Sequence, residues 1–316
     1  MIGNSVNSSL SSASNPLVSV VLPAWNAAHT LGAALQSLLD QQPSPLALVP
    51  DFEIVVVDDG STDETSNILE HWGSAHLLGN RLRPLYLPHG GIVTALNAGL
   101  TAARGTLVAR MDADDTAHPY RIASQTAHLY DKEHIDLSAT CVAFGGDREL
   151  AHGFAHFVDW QNSLQSPTEI SRNRFRDTPV CHPTTMFRRE AVDRWGPYAD
   201  GDFAEDWELW LRWLHEGALM EKLPQALLVW NDAPDRATRT DGRYTADACD
   251  RLRALWLARH LERHNPFHPQ VWVIGGGRMA RPGLYVEPTV LAGVTPDMAI
   301  ARQEVFGPVL AVLVFE

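Results

Sequence analysis

The sequence predicts an α/β protein built on a mainly parallel sheet. Short apolar runs alternate with amphipathic segments over the first 135 or so residues, the pattern of strands joined by crossover helices. Three of the apolar runs end in polar or acidic residues: Pro23-Ala24-Trp25-Asn26, Asp58-Asp59 and Asp112-Ala113-Asp114. In open parallel sheets ligands sit beyond the carboxyl ends of the strands, so three such ends point to one binding edge.

Leu17 to Pro23 is a continuous apolar run, as expected of a strand covered on both faces. Asn26 to Leu39 reads as a helix with Leu31, Ala34, Leu35 and Leu38 on one side. A Pro-rich loop, Gln41 to Pro50, leads to the strand Phe52 to Val57. Ser61 or Thr62 is placed to cap the next helix, with Asp63 and Glu64 in its first turn. Leu82 to Leu87 is a third strand, and Gly90-Gly91 breaks the chain before a helix through Ala95 to Ala103. Thr106 to Met111 is a fourth strand. Beyond about residue 135 the alternation weakens. Cys181 to Arg189 reads as a strand entering a helix, Ala204 to Glu216 as an amphipathic helix and Tyr244 to Arg263 as a closing helix. Trp207 and Trp210 fall on the apolar stripe of the Ala204 helix and read as core.

Composition narrows the function. The 316 residues suit one large or two ordinary domains, with 45% apolar and 20% charged residues. A net charge of -13 excludes a non-specific nucleic-acid binder. Cys141, Cys181 and Cys249 are far apart without ligand spacing, which fits a reducing, cytoplasmic setting. Residues 1–16 are Ser- and Asn-rich, lack the basic and apolar regions of a signal peptide, and read as a disordered leader. No window reaches the length of a transmembrane helix, which leaves peripheral membrane association through a substrate.

The acidic cluster Asp112 to Asp115 carries the chemistry. Crowded like charges are costly unless a cation holds them, and a hard divalent cation on one or two carboxylates usually also binds phosphate. The alternative is a solvated acidic turn. Glu205 and Asp206 raise a similar choice, between catalysis and favourable charge at a helix N-terminus worth up to about 1 kcal/mol.

Five segments in order, Val18 to Asn26, Val56 to Asp63, Ala95 to Gly99, Met111 to Asp115 and Glu205 to Trp210, resemble glycosyltransferase family 2 over roughly residues 17–265. The resemblance implies the nucleotide-sugar-binding fold called GT-A, and an inverting transfer from a nucleotide sugar, expected to be a UDP-sugar. The acceptor implied is a glycan or lipid-linked sugar of surface polysaccharide. Asp112 and Asp114 match the metal motif for Mn²⁺ or Mg²⁺, with Asp112 also beside the nucleotide. Asp58 or Asp59 matches the base-reading acid, and helix capping is its alternative role. Pro23, Ala24, Asn26 and Asn97 join the nucleotide site. Asp206 is the expected general base and Glu205 the second candidate. His182 is equally read as a diphosphate or metal contact and as a packed, hydrogen-bonded histidine. Arg188 or Arg189 could pair with phosphate, although exposed helix arginines are the plainer reading. Trp25 and Trp230 could stack on a sugar, and the loop Asp235 to Arg239 could close over the acceptor. A catalytically silent nucleotide-sugar-binding protein is the competing function.

The tail, residues 266–316, tells another story. Gly275, Gly277 and Ala280 follow a short apolar run in a relaxed dinucleotide-binding pattern. Gly283 to Leu310 resembles an internal piece of aldehyde dehydrogenases, in which Glu304 and Phe306 would face the nicotinamide. The matching nucleophile segment is missing, so a NAD-linked oxidoreductase is the remote alternative. A fusion or truncation junction near residues 275–283 is expected, with an apolar strand from Val309 to Phe315 that is an aggregation liability if unpaired.

Overall fold

A computed structural model describes residues 15–74, 78–232, 239 and 241–264, together with strands at 272–274, 289–294 and 309–313. The expected disordered leader, residues 1–16, lies outside the described residues except for its last two.

The amino-terminal half follows the predicted alternation. β1 (Val18–Ala24) and β2 (Phe52–Asp59) flank α1 (Leu31–Leu39), and every residue of both strands is buried. α2 (Thr65–Gly73) leads to β3 (Leu82–Leu87), and α3 (Ile92–Ala102) leads to β4 (Leu107–Arg110). β1 pairs in parallel with β2 and β4, and β2 with β3.

Two boundaries differ from the expectation for the same reason. α1 begins at Leu31 and not at Asn26, and α2 at Thr65 and not after Ser61 or Thr62. The residues before each helix are spent tying the two strand ends together. Asn26 sits at φ 49°, in the left-handed region. Its amide N–H donates to Ser61 Oγ at 2.9 Å, and its Oδ1 accepts from the Thr62 N–H at 2.8 Å. Ala27 N–H reaches Thr65 Oγ1 at 2.8 Å, and Ala28 N–H reaches Asp63 Oδ2 at 3.0 Å. Side-chain bonds between distant loops outcompete local helix propensity here.

Past β4 the sheet becomes mixed. The elements are β5 (Thr116–Ala117), α4 (Arg121–Asp131), β6 (Leu137–Phe144), α5 (His152–Ser163), α6 (Pro167–Asn173), β7 (Met186–Arg188), α7 (Arg189–Trp195), α8 (Glu205–Glu216), β8 (Met220–Trp230) and α9 (Ala246–His264). The sheet order is β3-β2-β1-β4-β7-β6-β8-β5. β7 runs antiparallel to both β4 and β6, and β5 antiparallel to β8, while β6 and β8 are parallel. The weakening of sequence alternation past residue 135 has a cause here: β7, three residues long and antiparallel to its neighbours, is too short to print a periodic pattern. In the tail, β9 (Trp272–Ile274) is antiparallel to β10 (Thr289–Val294), which is parallel to β11 (Val309–Leu313). The expected apolar strand of the tail is therefore paired over Val309–Leu313.

Helices cover both faces of the main sheet. Val18, Val20 and Leu22 pack with Leu31, Leu35 and Leu38 of α1 on one face. Val21, one residue out of phase, packs on the other with Leu96, Leu100, Trp210 and Trp213. α8 is covered in turn by α9, where Trp207 meets Leu252 and Trp256. Trp207 and Trp210 are thus core, as their spacing indicated.

The edge opposite the strand ends holds one buried acid. Glu53 accepts from Ser19 Oγ at 2.7 Å, from the Arg104 amide at 2.8 Å, from Arg104 Nε at 2.9 Å and from Arg83 Nη1 at 2.8 Å. Burial alone would raise its pKa, but these bonds outweigh it and lower the value from 4.5 to about 2. A depressed folded value adds stability above the unfolded pKa, and that stability is lost as pH falls toward the folded value. Glu53→Gln is expected to lower unfolding free energy near neutral pH by about 1.5–3 kcal/mol. Its loss relative to wild type should shrink on going from neutral to about pH 3 in urea titrations. A difference independent of pH would show that Glu53 does not carry this charge-linked stability.

Candidate active site

The acidic cluster lies where β4 ends beside β1. Met111 N–H bonds Val21 O at 3.1 Å, which keeps the chain against β1 until the turn. Asp112, Asp114 and Asp115 then bring one oxygen each within 4.8 Å of one another. Arg110, the last residue of β4 and 3% exposed, pairs with Asp112. Burial disfavours its charge, and Asp112, with Tyr198 and Glu205 further away, more than restores it. Arg121 Nη2 donates to the Arg110 carbonyl at 2.6 Å and fixes the backbone underneath. Three hard oxygen donors at this spacing are chemically suited to Mg²⁺ or Mn²⁺.

Asp115, to which the sequence assigned no task, is buried and structural. Its Oδ1 accepts from the Asn231 N–H at 3.0 Å, and Asn231 Nδ2 donates to the Asp114 carbonyl at 2.8 Å. The end of β8 is thereby fastened to the cluster. No local signal near Asn231 reveals this, because its partners are more than a hundred residues away.

Pro23 and Ala24 close β1, and Ala24 pairs in register with Asp58. Asp58 Oδ1 accepts from the Ser61 N–H at 3.0 Å and Oδ2 from Ser66 Oγ at 2.5 Å. Asp59 accepts from the Gly90 and Gly91 amides at 2.8 and 2.9 Å and faces His89 Nδ1 at 2.9 Å. Both carboxylates are buried and shape the surrounding loops. Gly60 makes this close approach feasible: at φ +70° a Cβ on it would lie 2.5 Å from the His89 amide nitrogen. Trp25 stands 55% exposed over the same edge and stacks on His89, ring centroids 4.7 Å apart.

On the facing side α8 begins with Glu205 and Asp206. Asp206 is partly open to solvent, while Glu205 is buried and accepts from the Tyr244 hydroxyl at 2.7 Å. Desolvation and the adjacent Glu205 charge push the Asp206 carboxyl well above the ordinary carboxylate range. Its bond from the Trp207 N–H and the positive charge of Arg110 offset this only in part. A helix N-terminus by itself would have predicted the opposite direction.

His182 and Asn97 meet at Tyr198. His182 Nε2 lies 2.7 Å from the Tyr198 hydroxyl, and burial with Arg110 nearby pushes its pKa well below the ordinary value. Asn97 donates to the Tyr198 carbonyl at 2.9 Å and accepts from its amide at 3.1 Å, so both ends of its side chain are engaged in joining α3 to the loop before α8. Arg188 and Arg189 are neither exposed nor turned to an anion. Arg188 donates to the carbonyls of Ile135 and Leu129, and Arg189 to those of Gly105, Leu100 and Ala103. Trp230 packs against Phe144 and Phe154 inside the protein, which corrects its reading as a sugar platform. Residues 235–238 of the expected acceptor loop lie outside the described residues, as do Gly275, Gly277, Ala280, Glu304 and Phe306. Arg239 pairs with Asp232 at 2.7 Å and lies over the Phe154 ring.

The profile of glycosyl transferase family 2 matches residues 19–196, more than half of the chain. The chain belongs to glycosyl transferase family 2. This glycosyltransferase is 29% identical over 272 residues to the protein named "Putative glycosyltransferase EpsE" of Bacillus subtilis. That match covers 79% of this chain and 90% of EpsE. It is 26% identical over 203 residues to WbnJ of Escherichia coli, named as an O-antigen biosynthesis glycosyltransferase, covering 63% of this chain and 72% of WbnJ. The fold is that of GT-A enzymes. TarS of S. aureus, in complex with UDP-GlcNAc, superposes with a TM-score of 0.57 at 21% identity over 81% of this chain and 76% of that one. A mannosyltransferase of Pyrobaculum calidifontis, in complex with GDP-Man and Mn²⁺, superposes at 0.52 and 21% identity over 80% of this chain and 65% of its own. The aldehyde dehydrogenase family profile matches residues 268–316. Glu205, Asp206 and Tyr244 lie beyond the family 2 match.

Proposed function

We propose that this glycosyltransferase is an inverting, metal-dependent enzyme that moves a sugar from a UDP-sugar to a glycan or lipid-linked acceptor of a surface polysaccharide. The catalytic unit is residues 17–265. The observation that carries the reading is the carboxylate cluster of Asp112, Asp114 and Asp115, set on the same sheet edge as Asn26, Asp58 and Asp59.

Asp112 and Asp114 would hold Mn²⁺ or Mg²⁺, with Asp115 fixing the turn. When bound, the ion supplies positive charge to the diphosphate leaving group. Pro23, Ala24 and Asn26 line the nucleotide pocket, and Asp58 and Asp59 hold the backbone that forms its walls. Asn97 and His182 act through Tyr198, behind Arg110 and the α8 N-terminus. Asp206 takes the proton of the acceptor hydroxyl as that oxygen attacks the anomeric carbon and the sugar–phosphate bond breaks. A base with a raised pKa is better matched to that proton near neutral pH than an ordinary carboxylate. A relative named for O-antigen biosynthesis supports a polysaccharide acceptor. Among the described residues no helix is long and apolar enough to cross a membrane, so a lipid-linked acceptor would be met at a surface.

A screen of UDP-glucose, UDP-N-acetylglucosamine, UDP-galactose and GDP-mannose with Mn²⁺ tests the reading. The expected result is metal-dependent release of nucleoside diphosphate from one or more UDP-sugars. Release unaffected by chelation, or from GDP-mannose alone, would overturn the metal or the uridine assignment respectively.

A further inference from the structure

Two acids open α8, and the chain treats them differently. Glu205 is 3% exposed and receives a 2.7 Å hydrogen bond from the hydroxyl of Tyr244. Asp206 keeps solvent access and, among the described residues, receives only the neighbouring backbone bond from Trp207. Tyr244 ends a short helical turn, Gly242–Tyr244, just ahead of α9. That turn is itself anchored: the Asp241 side chain accepts from the Arg243 N–H at 2.9 Å and pairs with its guanidinium. Tyr244 also packs in the apolar cluster that includes Ala204, Trp207 and Leu252. The phenol is therefore held in place from its ring side and its backbone side, with its oxygen directed at Glu205.

We propose that Tyr244 is a positioning residue: by holding the Glu205 carboxylate it leaves Asp206 as the group that accepts the acceptor's proton. The inference rests on the reading of Asp206 as general base. It extends the catalytic unit beyond the family match, since the segment from Asp241 into α9 completes the base.

A hydroxyl donating to a carboxylate oxygen favours the charged form of that carboxylate. Burial, Glu205 and Asp206 all raise the Tyr244 pKa, so the phenol keeps its proton and remains a donor. The Glu205 charge next to Asp206 is, after burial, the main cause of the raised Asp206 pKa. The other charged or titratable groups facing Asp206 are Arg110 from β4, Asp177 from the loop after α6, Tyr198 from the loop after α7, and Cys249 from α9. Arg110 favours the anion and Asp177 opposes it. The Tyr244 hydroxyl donates to Glu205 directly.

The test is the pH profile of kcat with whichever UDP-sugar is turned over in the screen above. In Tyr244→Phe the proton is expected to settle on Glu205 first, which moves the acid limb of kcat down by about one pH unit. The plateau should fall about 3- to 10-fold, because the base is weaker, while KM for the donor stays unchanged. Glu205→Gln keeps the phenol and removes the charge, so it should shift the limb in the same direction. The double variant should match Glu205→Gln, since Tyr244 acts only through Glu205. An unmoved limb in Tyr244→Phe, or additive shifts in the double variant, would overturn the proposal; should Tyr244→Phe not fold, an unmoved limb in Glu205→Gln does so. Asp206→Asn separates the two ideas. Retained turnover in that variant removes the base reading itself, whereas lost turnover with an unmoved limb in Tyr244→Phe removes only the role of Tyr244.

Discussion

Asp206→Asn is expected to lower kcat by about 10²–10⁴-fold while leaving donor affinity intact. Asn is the same size and can still occupy the α8 N-terminus, but it cannot take a proton. The same change should stabilise the protein on the alkaline side. Desolvation, with the nearby Glu205 charge, holds the folded-state pKa of Asp206 far above its unfolded value. For such a group the favourable contribution is complete below the unfolded pKa and is lost as pH rises through the folded one. Above that point the wild type carries a charge its surroundings disfavour, and Asn removes it. The melting temperature of Asp206→Asn should therefore exceed that of the wild type by a margin that grows with pH. Catalytic groups held in unfavourable environments commonly show this exchange of stability for activity. Unaltered turnover would remove Asp206 from the chemistry, and a pH-independent difference in melting temperature would contradict its raised pKa.

Asp114→Ala is expected to abolish the part of nucleotide binding that depends on the cation. Losing even an outer-shell partner of a metal site typically costs 10–100-fold in affinity, so removing a ligand should weaken Mn²⁺ binding by at least about 100-fold. Calorimetry with UDP should show Mn²⁺ tightening binding to the wild type and having no effect on the variant. Thermal unfolding gives a readout free of activity: a cation that binds the folded state raises its melting temperature by mass action, and Asp114→Ala should not respond. The fold should survive, because the contacts that fasten the turn use the Asp114 backbone carbonyl and the Asp115 side chain, both of which remain. A variant whose UDP affinity still rises with Mn²⁺ would place the cation elsewhere.

Much of this site could be read from one dimension, and the reason is geometric. A parallel sheet collects its strand ends along one edge, so polar residues that end apolar runs must be neighbours, whatever the loops do. Asn26, Asp58, Asp59 and Asp112 are recognisable on that ground. The misread residues are those whose partners are far away in sequence. Arg188 and Arg189 look like exposed helix cations, yet Arg188 ends β7 between β4 and β6, Arg189 opens α7, and both guanidiniums donate to backbone carbonyls of distant segments. Trp230 looks like a sugar platform because nothing local shows that α5 covers it. α1 starts late because Asn26 is held by the loop after β2.

The sequence by itself determined the α/β class, the four parallel strands, the binding edge and the acidic cluster, because burial on both faces and strand termination leave their marks in local pattern. Only the tertiary structure decided how the acids divide their work. Asp115 went to Asn231, Glu205 to Tyr244, and Asp206 was left partly open with a raised pKa. A carboxylate's role depends on which donors and charges surround it and how much water reaches it, and those neighbours are brought together by folding rather than by position along the chain.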